Sequence, residues 1–243
     1  MDPDSPSAKE HRTVTRITTI LETVAGAEGG VRLRDVVDVL DAPKSSVYGL
    51  VQGLAAVGYL EEREGVYRMG PAVTMLLSPN RSALISAARP ALEHLRRQFD
   101  ETVTLAVRVG YSTVYLDSVE SSRPIRYSAP LRQRRPLYPT SAGKCLLAFM
   151  PPNLRGSYLV SAVDEGERGA VVAELAQVRE EGVAYNRGDT LPDVTAAGAI
   201  VLLGDRPVAA VACAGPTNRM AGGLDAVGRA VRSTADDIAR RIS

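Results

Sequence analysis

Three apolar stripes of identical spacing fill the first part of the chain and leave few folds open to it. Ile17, Ile20, Leu21 and Val24 sit at i, i+3, i+4 and i+7, and the pattern recurs at Leu33, Val36, Val37 and Leu40 and at Val47, Leu50, Val51 and Leu54. That period buries one face of a helix, so three short helices are predicted around one small core. The first ends near Gly26, with Glu28-Gly29-Gly30 as its exit turn. Between the second and third stands Asp41-Ala42-Pro43, where Pro43 presets φ and needs no N–H partner at the start of a helix. Lys44, Ser45, Ser46, Tyr48, Gln52 and Gly53 fall off the buried stripe and give the third helix a polar, partly aromatic face.

Gly58-Tyr59-Leu60-Glu61-Glu62 and Val66-Tyr67-Arg68-Met69 follow, flanking Arg63-Glu64-Gly65. This reads as a hairpin whose tip carries Arg63. Helix, turn, helix and charged hairpin within about forty residues is the order of a winged helix-turn-helix. A trihelical protein-docking module uses the same core physics and is the alternative, to which the polar face and the wing run counter.

The rest of the chain mixes helices and strands. Leu84, Ile85, Ala88, Leu92, Leu95 and Phe99 mark a helix that Pro90 should bend or restart. Val103, Leu105, Val107 and Val109 alternate with Thr104, Ala106 and Arg108, and a second strand runs from Val114 to Val119. Some twenty residues rich in Ser, Arg and Pro, Glu120 to Pro139, then form a loop of a length that is usually functional or disordered. Helices are expected at 145–149, 153–160 and 170–181, a strand at 183–185, a hairpin of 195–203 with 207–214 about Gly204-Asp205-Arg206, and a last helix through Leu224, Val227, Val231, Ala235 and Ile238. Helices packed on one antiparallel sheet make an α+β domain.

Thr140-Ser141-Ala142-Gly143-Lys144 opens one of these helices with small residues, which leaves backbone N–H groups open to an anion such as a carboxylate. An ordinary capped helix with Thr140 or Ser141 as N-cap is the plainer reading. A nucleotide-binding P-loop is excluded, because the glycine it needs five residues before Gly143 is Tyr138.

Charge bears on DNA binding. Residues 1–70 hold eight Lys/Arg against eleven Asp/Glu, a net of −3, whereas most DNA-binding domains are basic. Position softens this: Asp2, Asp4 and Glu10 lie in the N-terminal tail, while Arg32, Arg34, Lys44 and Arg63 fall at the ends of elements expected to face DNA. Modest affinity per monomer and dependence on oligomers follow. Cys145 and Cys213, far apart, offer neither a disulfide framework nor metal spacing, and no apolar run approaches the ~18 residues of a membrane span. Neither metal nor cofactor is called for, and a cytoplasmic location is expected, since the start lacks the apolar stretch of a signal peptide.

From Ile17 to Pro71 and from Pro136 to Met220 the chain resembles the IclR family of bacterial transcriptional regulators. The segments carrying the resemblance are 43–48 (Pro-Lys-Ser-Ser-Val-Tyr), 54–60, 66–70, 136–148 (through Pro139-Thr140-Ser141-Ala142-Gly143-Lys144), 181–185 and 209–216. The resemblance implies a tail over 1–10, a winged helix-turn-helix over 11–70, a linker over 71–80 with a short helix at Val73, Met75, Leu76 and Leu77, and a GAF-like effector-binding domain over 81–243. It implies a homodimer or homotetramer on double-stranded DNA carrying an inverted repeat, more as a repressor than an activator, read by Arg32, Arg34, Lys44, Ser45, Ser46, Tyr48, Gln52 and Arg63. Gly49 departs from the family, which commonly has arginine there.

For the small-molecule effector, the resemblance implies a pocket formed by Ala129, Leu131, Thr140, Ser141, Ala142, Gly143, Asp189, Thr195, Ala197, Ala212 and Ala214. Members that bind small polar acids often carry serines where this chain has Ala212 and Ala214, so a more apolar ligand, an aromatic carboxylic acid, is expected. Thr195 and the amides near Ala142 would orient it, with Asp189 closing the site or binding a ligand hydroxyl. A tightly packed core at Ala212 and Ala214 is the bland alternative. The rival from another class is an acyl-transfer enzyme with Cys145 as nucleophile, and neither His11 nor His94 is placed by sequence to serve as its base.

Overall fold

A computed structural model describes residues 11–73 and 83–243 of the chain, which forms two compact units, Met1–Pro79 and Asn80–Ser243. The expected tail over 1–10, and the expected linker beyond Val73, lie outside the described residues.

In the first unit, α1 (Arg12–Ala25), α2 (Leu33–Leu40) and α3 (Lys44–Ala56) follow the three stripes. Their inward residues meet in one cluster with Ile20, Val24, Val36, Val47 and Val51 at its centre, closed from below by Leu60 and Tyr67. The chain reverses between α2 and α3 through Asp41 in the left-handed region (φ 43°) and Pro43, which occupies the N-cap of α3. Strands β2 (Leu60–Arg63) and β3 (Val66–Met69) pair antiparallel about Glu64 and Gly65, both at positive φ. That pair of conformations makes a two-residue turn whose twist matches the strands, and Gly65 takes its share without a Cβ penalty. A third strand, β1 (Val31–Arg32), pairs with β3 and completes a sheet of order β1-β3-β2. Two residues carry no readable period, so β1 was not predicted.

The second unit is one six-stranded antiparallel sheet of order β6-β5-β4-β9-β8-β7 with helices on both faces. Its strands are β4 (Thr102–Val109), β5 (Ser112–Val119), β6 (Arg134–Pro136), β7 (Val183–Arg187), β8 (Val194–Leu203) and β9 (Arg206–Pro216). Against one face pack α4 (Ala83–Phe99) and α9 (Leu224–Ile242), with Leu92, Leu95, Val231 and Ile238 sealed over Val103, Leu105, Val211 and Cys213. Each fully buried leucine or isoleucine contributes about 1.5 to 3 kcal/mol to this layer. Pro90 lies inside α4, which runs on through it and does not restart.

On the opposite face lie α5 (Ser141–Ala148), α6 (Pro152–Ala162) and α7 (Arg168–Glu181), whose Leu147, Leu159 and Leu175 cover Ala106, Ala184, Ala210 and Ala212. A four-residue helix, α8 (Thr217–Met220), follows β9. Within the predicted loop 120–139 the chain forms β6, which pairs with β5 at the sheet edge. Its Arg-Arg-Pro sequence carries no strand signal, and only the cross-strand partner makes it one.

Candidate functional site

The outward side of α3 is built by its own period: once Val47, Val51 and Leu54 turn inward, Lys44, Ser45, Ser46, Tyr48 and Gly49 are left in solvent. Tyr48 is 51% exposed, a large aromatic that the first unit's core does not use. Lys44 occupies the first turn of α3, where the unpaired N–H groups already present positive potential. A cation there opposes the helix dipole and costs the free protein stability; it becomes favourable when a phosphate sits on the same amides.

The remaining predicted DNA contacts divide. Arg63 ends β2 beside the turn and, itself exposed, pairs loosely with the half-buried Glu61 at 3.3 Å, a contact worth little in water. Arg32 ends β1, and one of its terminal nitrogens lies near Gly65 at the wing turn, 3.8 Å from where a Cβ would stand. Its amide donates to the Asp35 carboxylate, closing the start of α2. Arg34 is exposed and contacts the same carboxylate at 3.3 Å. Gln52 is different: its Nε2 donates to the Tyr67 phenol at 3.1 Å, so it ties α3 to the wing strand and is half withdrawn from the outer face. The Tyr67 phenol is held above its ordinary pKa, first by burial and then by Glu62.

Gly49 and Gly53 stand one turn apart on this outer side, and a Cβ at either would meet nothing within 4 Å. Packing therefore does not explain them. Gly49→Ala is expected to stabilise the first unit by up to roughly 1 kcal/mol, because glycine is the poorer helix former. Thermal melting of the variant checks this, and a lower melting temperature would show a packing role that the open space denies.

In the second unit the start of α5 lies directly on the sheet. Thr140 is the N-cap: its hydroxyl accepts from the Gly143 amide at 3.1 Å and donates to the Leu137 carbonyl at 3.1 Å. Both roles of that hydroxyl are thus spent on the fold. The N–H groups of Ser141 and Ala142 are the two first-turn donors that neither the cap nor the helix pairs. Under them sits Gly198 of β8, where a Cβ would come within 2.8 Å of Ser141.

Register decides which side chains share this face. Thr104 of β4 pairs with Ala212, Ala212 with Gly198, and Gly198 with Ala184; two residues along, on the same face, Ala214 pairs with Ala196. Ala212 and Ala214 therefore share one face of the sheet, and Ala212 packs in the cluster that α5 covers. Thr195 and Ala197 do not join them. They are paired with Gly215 and Cys213, and Ala197 lies in the core beneath α4 and α9. The one-residue difference reverses their face, because successive strand residues point to opposite sides. Ala196 and Gly198 take the places expected for them, and the Thr195 hydroxyl lies 3.0 Å from that of Thr217.

The loop residues also separate. Ala129 is buried against the same cluster as Ala142 and Ala212, whereas Leu131 is 40% exposed and lines nothing buried. Asp189 is engaged by a lysine that sequence reading passed over as part of a helix start. Lys144, 3% exposed, donates to Glu174 at 2.7 Å, to the Tyr185 carbonyl at 2.9 Å and to Asp189 at 3.1 Å, with the Tyr138 ring 5.3 Å from its Nζ. Three acceptors satisfy the three ammonium donors, which offsets the cost of burying them. Asp189 thereby clamps the turn after β7 onto α5.

The acyl-transfer alternative fails on placement. Cys145 is a fully buried residue of α5 itself, and burial pushes its thiol up to about 12, far from a thiolate at neutral pH. His94 lies on α4, which packs on the other face of the sheet.

Comparison with known proteins places these features. The pattern described as bacterial transcriptional regulator IclR C-terminal matches residues 78–240, and that of the IclR helix-turn-helix domain matches residues 13–64. The HTH-type transcriptional regulator Rv1719 of Mycobacterium tuberculosis is 28% identical over 196 residues, 77% of this chain and 76% of its own length. An IclR-family regulator from Rhodococcus sp. superimposes with a TM-score of 0.64 at 25% identity, covering 98% of this chain and 97% of its own. An IclR homologue from Microbacterium hydrocarbonoxydans, solved with 4-hydroxybenzoate, reaches a TM-score of 0.63 at 20% identity over 95% of this chain and 98% of its own.

Proposed function

Because the chain belongs to the IclR family of bacterial transcriptional regulators, whose members join a DNA-binding helix-turn-helix to an effector-binding domain, we propose that it is a repressor whose hold on an operator is set by an aromatic carboxylic acid. The observation that carries the DNA half is the outer side of α3. Lys44, Ser45, Ser46 and Tyr48 stand clear of the core there, with Arg63 and Arg32 on the adjoining wing. In this reading residues 11–70 read DNA and 81–243 sense the ligand. Two copies of α3, carried by a homodimer, enter successive major grooves about 34 Å apart on an inverted repeat. The net −3 of residues 1–70 makes a single copy weak and a dimer or tetramer necessary. Double-stranded DNA and the small acid are its partners, the cytoplasm its location, and it needs no cofactor.

The apolar ligand class is supported by the methyl groups of Ala196, Ala212 and Ala214 on one sheet face, with Ala212 packed under α5, where a ligand hydroxyl left unpaired would cost roughly 1 to 3 kcal/mol. It is supported also by the 4-hydroxybenzoate held by the Microbacterium homologue. Ser141, Ala142 and Ala129 complete the lining, with the Ser141 and Ala142 amides as donors.

The test is fluorescence anisotropy of the full chain on the DNA upstream of its own gene, against a scrambled duplex, at about 150 mM salt where non-specific binding is weak. Selective binding is expected. Equal affinity for both duplexes, with no site found by footprinting the surrounding region, would favour protein docking through the helix-turn-helix instead.

A further inference from the structure

At the β5–β6 edge, on the sheet face that also carries Ala106, Ala210 and Ala212, lie a guanidinium nitrogen and a hydroxyl without hydrogen-bond partners among the described residues. Thr113 of β5 pairs across the sheet with Arg135 of β6 on one side and with Arg108 of β4 on the other, so the three side chains form one row on one face. Thr113 is fully buried, and its hydroxyl has no hydrogen-bond partner among the described residues. Beside it the buried Nε of Arg135 also has none, and the Arg135 guanidinium makes no ion pair among the described residues. What the guanidinium does have is a ring: it lies 5.6 Å from the centroid of Tyr115. Tyr115 is 5% exposed, and its carbonyl accepts from the Arg132 amide, which draws the loop over it. Burial first, and then the Tyr127 phenol of that loop, hold the Tyr115 phenol above its ordinary pKa.

A guanidinium Nε beside a buried hydroxyl, neither with a hydrogen-bond partner among the described residues, is a costly arrangement. Unpaired buried donors cost free energy, and a cation–π contact satisfies the charge without satisfying the N–H. An anion with two acceptor oxygens would take both the Arg135 Nε and the Thr113 hydroxyl, and the surrounding tyrosine rings select one with a flat apolar body.

We propose that Arg135 and Thr113 form the receptor for the carboxylate of an aromatic acid, with the acid's ring against Tyr115 and Tyr127 on the methyl-lined face. This rests on the reading of the second unit as an effector-binding domain, and it assigns the acid end of the ligand to the sheet edge, leaving the Ser141 and Ala142 amides for other polar groups.

The experiment is calorimetric titration of the full chain with benzoate and with its neutral isostere benzamide. Arg135→Met is expected to weaken benzoate roughly 10- to 100-fold, the worth of charge-assisted hydrogen bonds, and to change benzamide less than about 3-fold. Thr113→Val is expected to weaken benzoate several-fold, and Arg135→Lys to restore part of what methionine loses. The melting temperature of Arg135→Met should match or exceed that of the parent, since a half-buried charge without a counterion is removed; a lowered melting temperature together with equal losses for both ligands would make Arg135 a structural prop and overturn the proposal. Unchanged benzoate affinity in Arg135→Met would overturn it as well. If the parent binds no benzoate while another class of small molecule alters its operator affinity, this assignment falls and the effector domain stands. If no small molecule alters operator affinity, both fall.

Discussion

Gly143→Ala is expected to lower the melting temperature of the second unit by roughly 10 °C, the shift that follows from a loss of about 3 kcal/mol in a domain of this size. A Cβ at this position would stand 1.8 Å from the Leu137 carbonyl oxygen and 2.5 Å from the Thr140 hydroxyl. Neither neighbour can give way. The Leu137 carbonyl is main chain leaving the sheet edge at β6, and the Thr140 hydroxyl is held by its two cap hydrogen bonds. Relief requires α5 to lift from the sheet, which opens the layer around Ala142, Cys145 and Leu146 and pulls Lys144 from its three acceptors. Thermal unfolding of the full chain reads the loss. A change under about 2 °C would show that α5 tolerates displacement and that its close seat on β8 is not a constraint.

The second large effect is on DNA. Lys44→Ala combined with Arg63→Ala removes two cations from one protomer at positions with no role in the first unit's core: Lys44 is exposed at the start of α3, and Arg63 is 57% exposed at the wing. Melting should change little, since exposed charges contribute little to stability. Operator binding should change a great deal. In a dimer four phosphate contacts vanish, and the slope of log K against log salt should flatten by roughly 3 to 4 units, with a loss of about a thousandfold in affinity at 150 mM salt. An unchanged slope would remove α3 and the wing from the interface, whatever the family does elsewhere.

The helices of the first unit were legible because each buries one stripe, and a 3.6-residue period survives in sequence without knowledge of its partner. The same holds for α9, whose Leu224, Val227, Val231 and Ile238 all face inward. What escaped reading was set by partners distant in sequence. Strands β1 and β6 exist because β3 and β5 offer free edges. Thr195 and Ala197 were placed on the wrong side of β8 because a family position carried across one residue out of register flips the face, and only the pairing with β9 fixes that register. Gln52 reads as a polar position on an outer helix face, yet Tyr67 reaches it from fifteen residues away. Lys144 and Arg135 gave no signal in sequence: one is a buried cation with every donor matched, the other a half-buried cation with a donor unmatched, and that contrast appears only in three dimensions.

DNA reading in one unit is expected to answer to a small acid bound in the other. The most direct test is the operator affinity of the full chain with and without a saturating aromatic acid, chosen from a panel including 4-hydroxybenzoate by its ability to raise the melting temperature. A coupling of about 1 to 3 kcal/mol predicts a 5- to 150-fold change in operator affinity, matched by an equal change in ligand affinity when operator DNA is present. Selective operator binding that stays the same in the presence of a ligand shown to be bound would contradict the account.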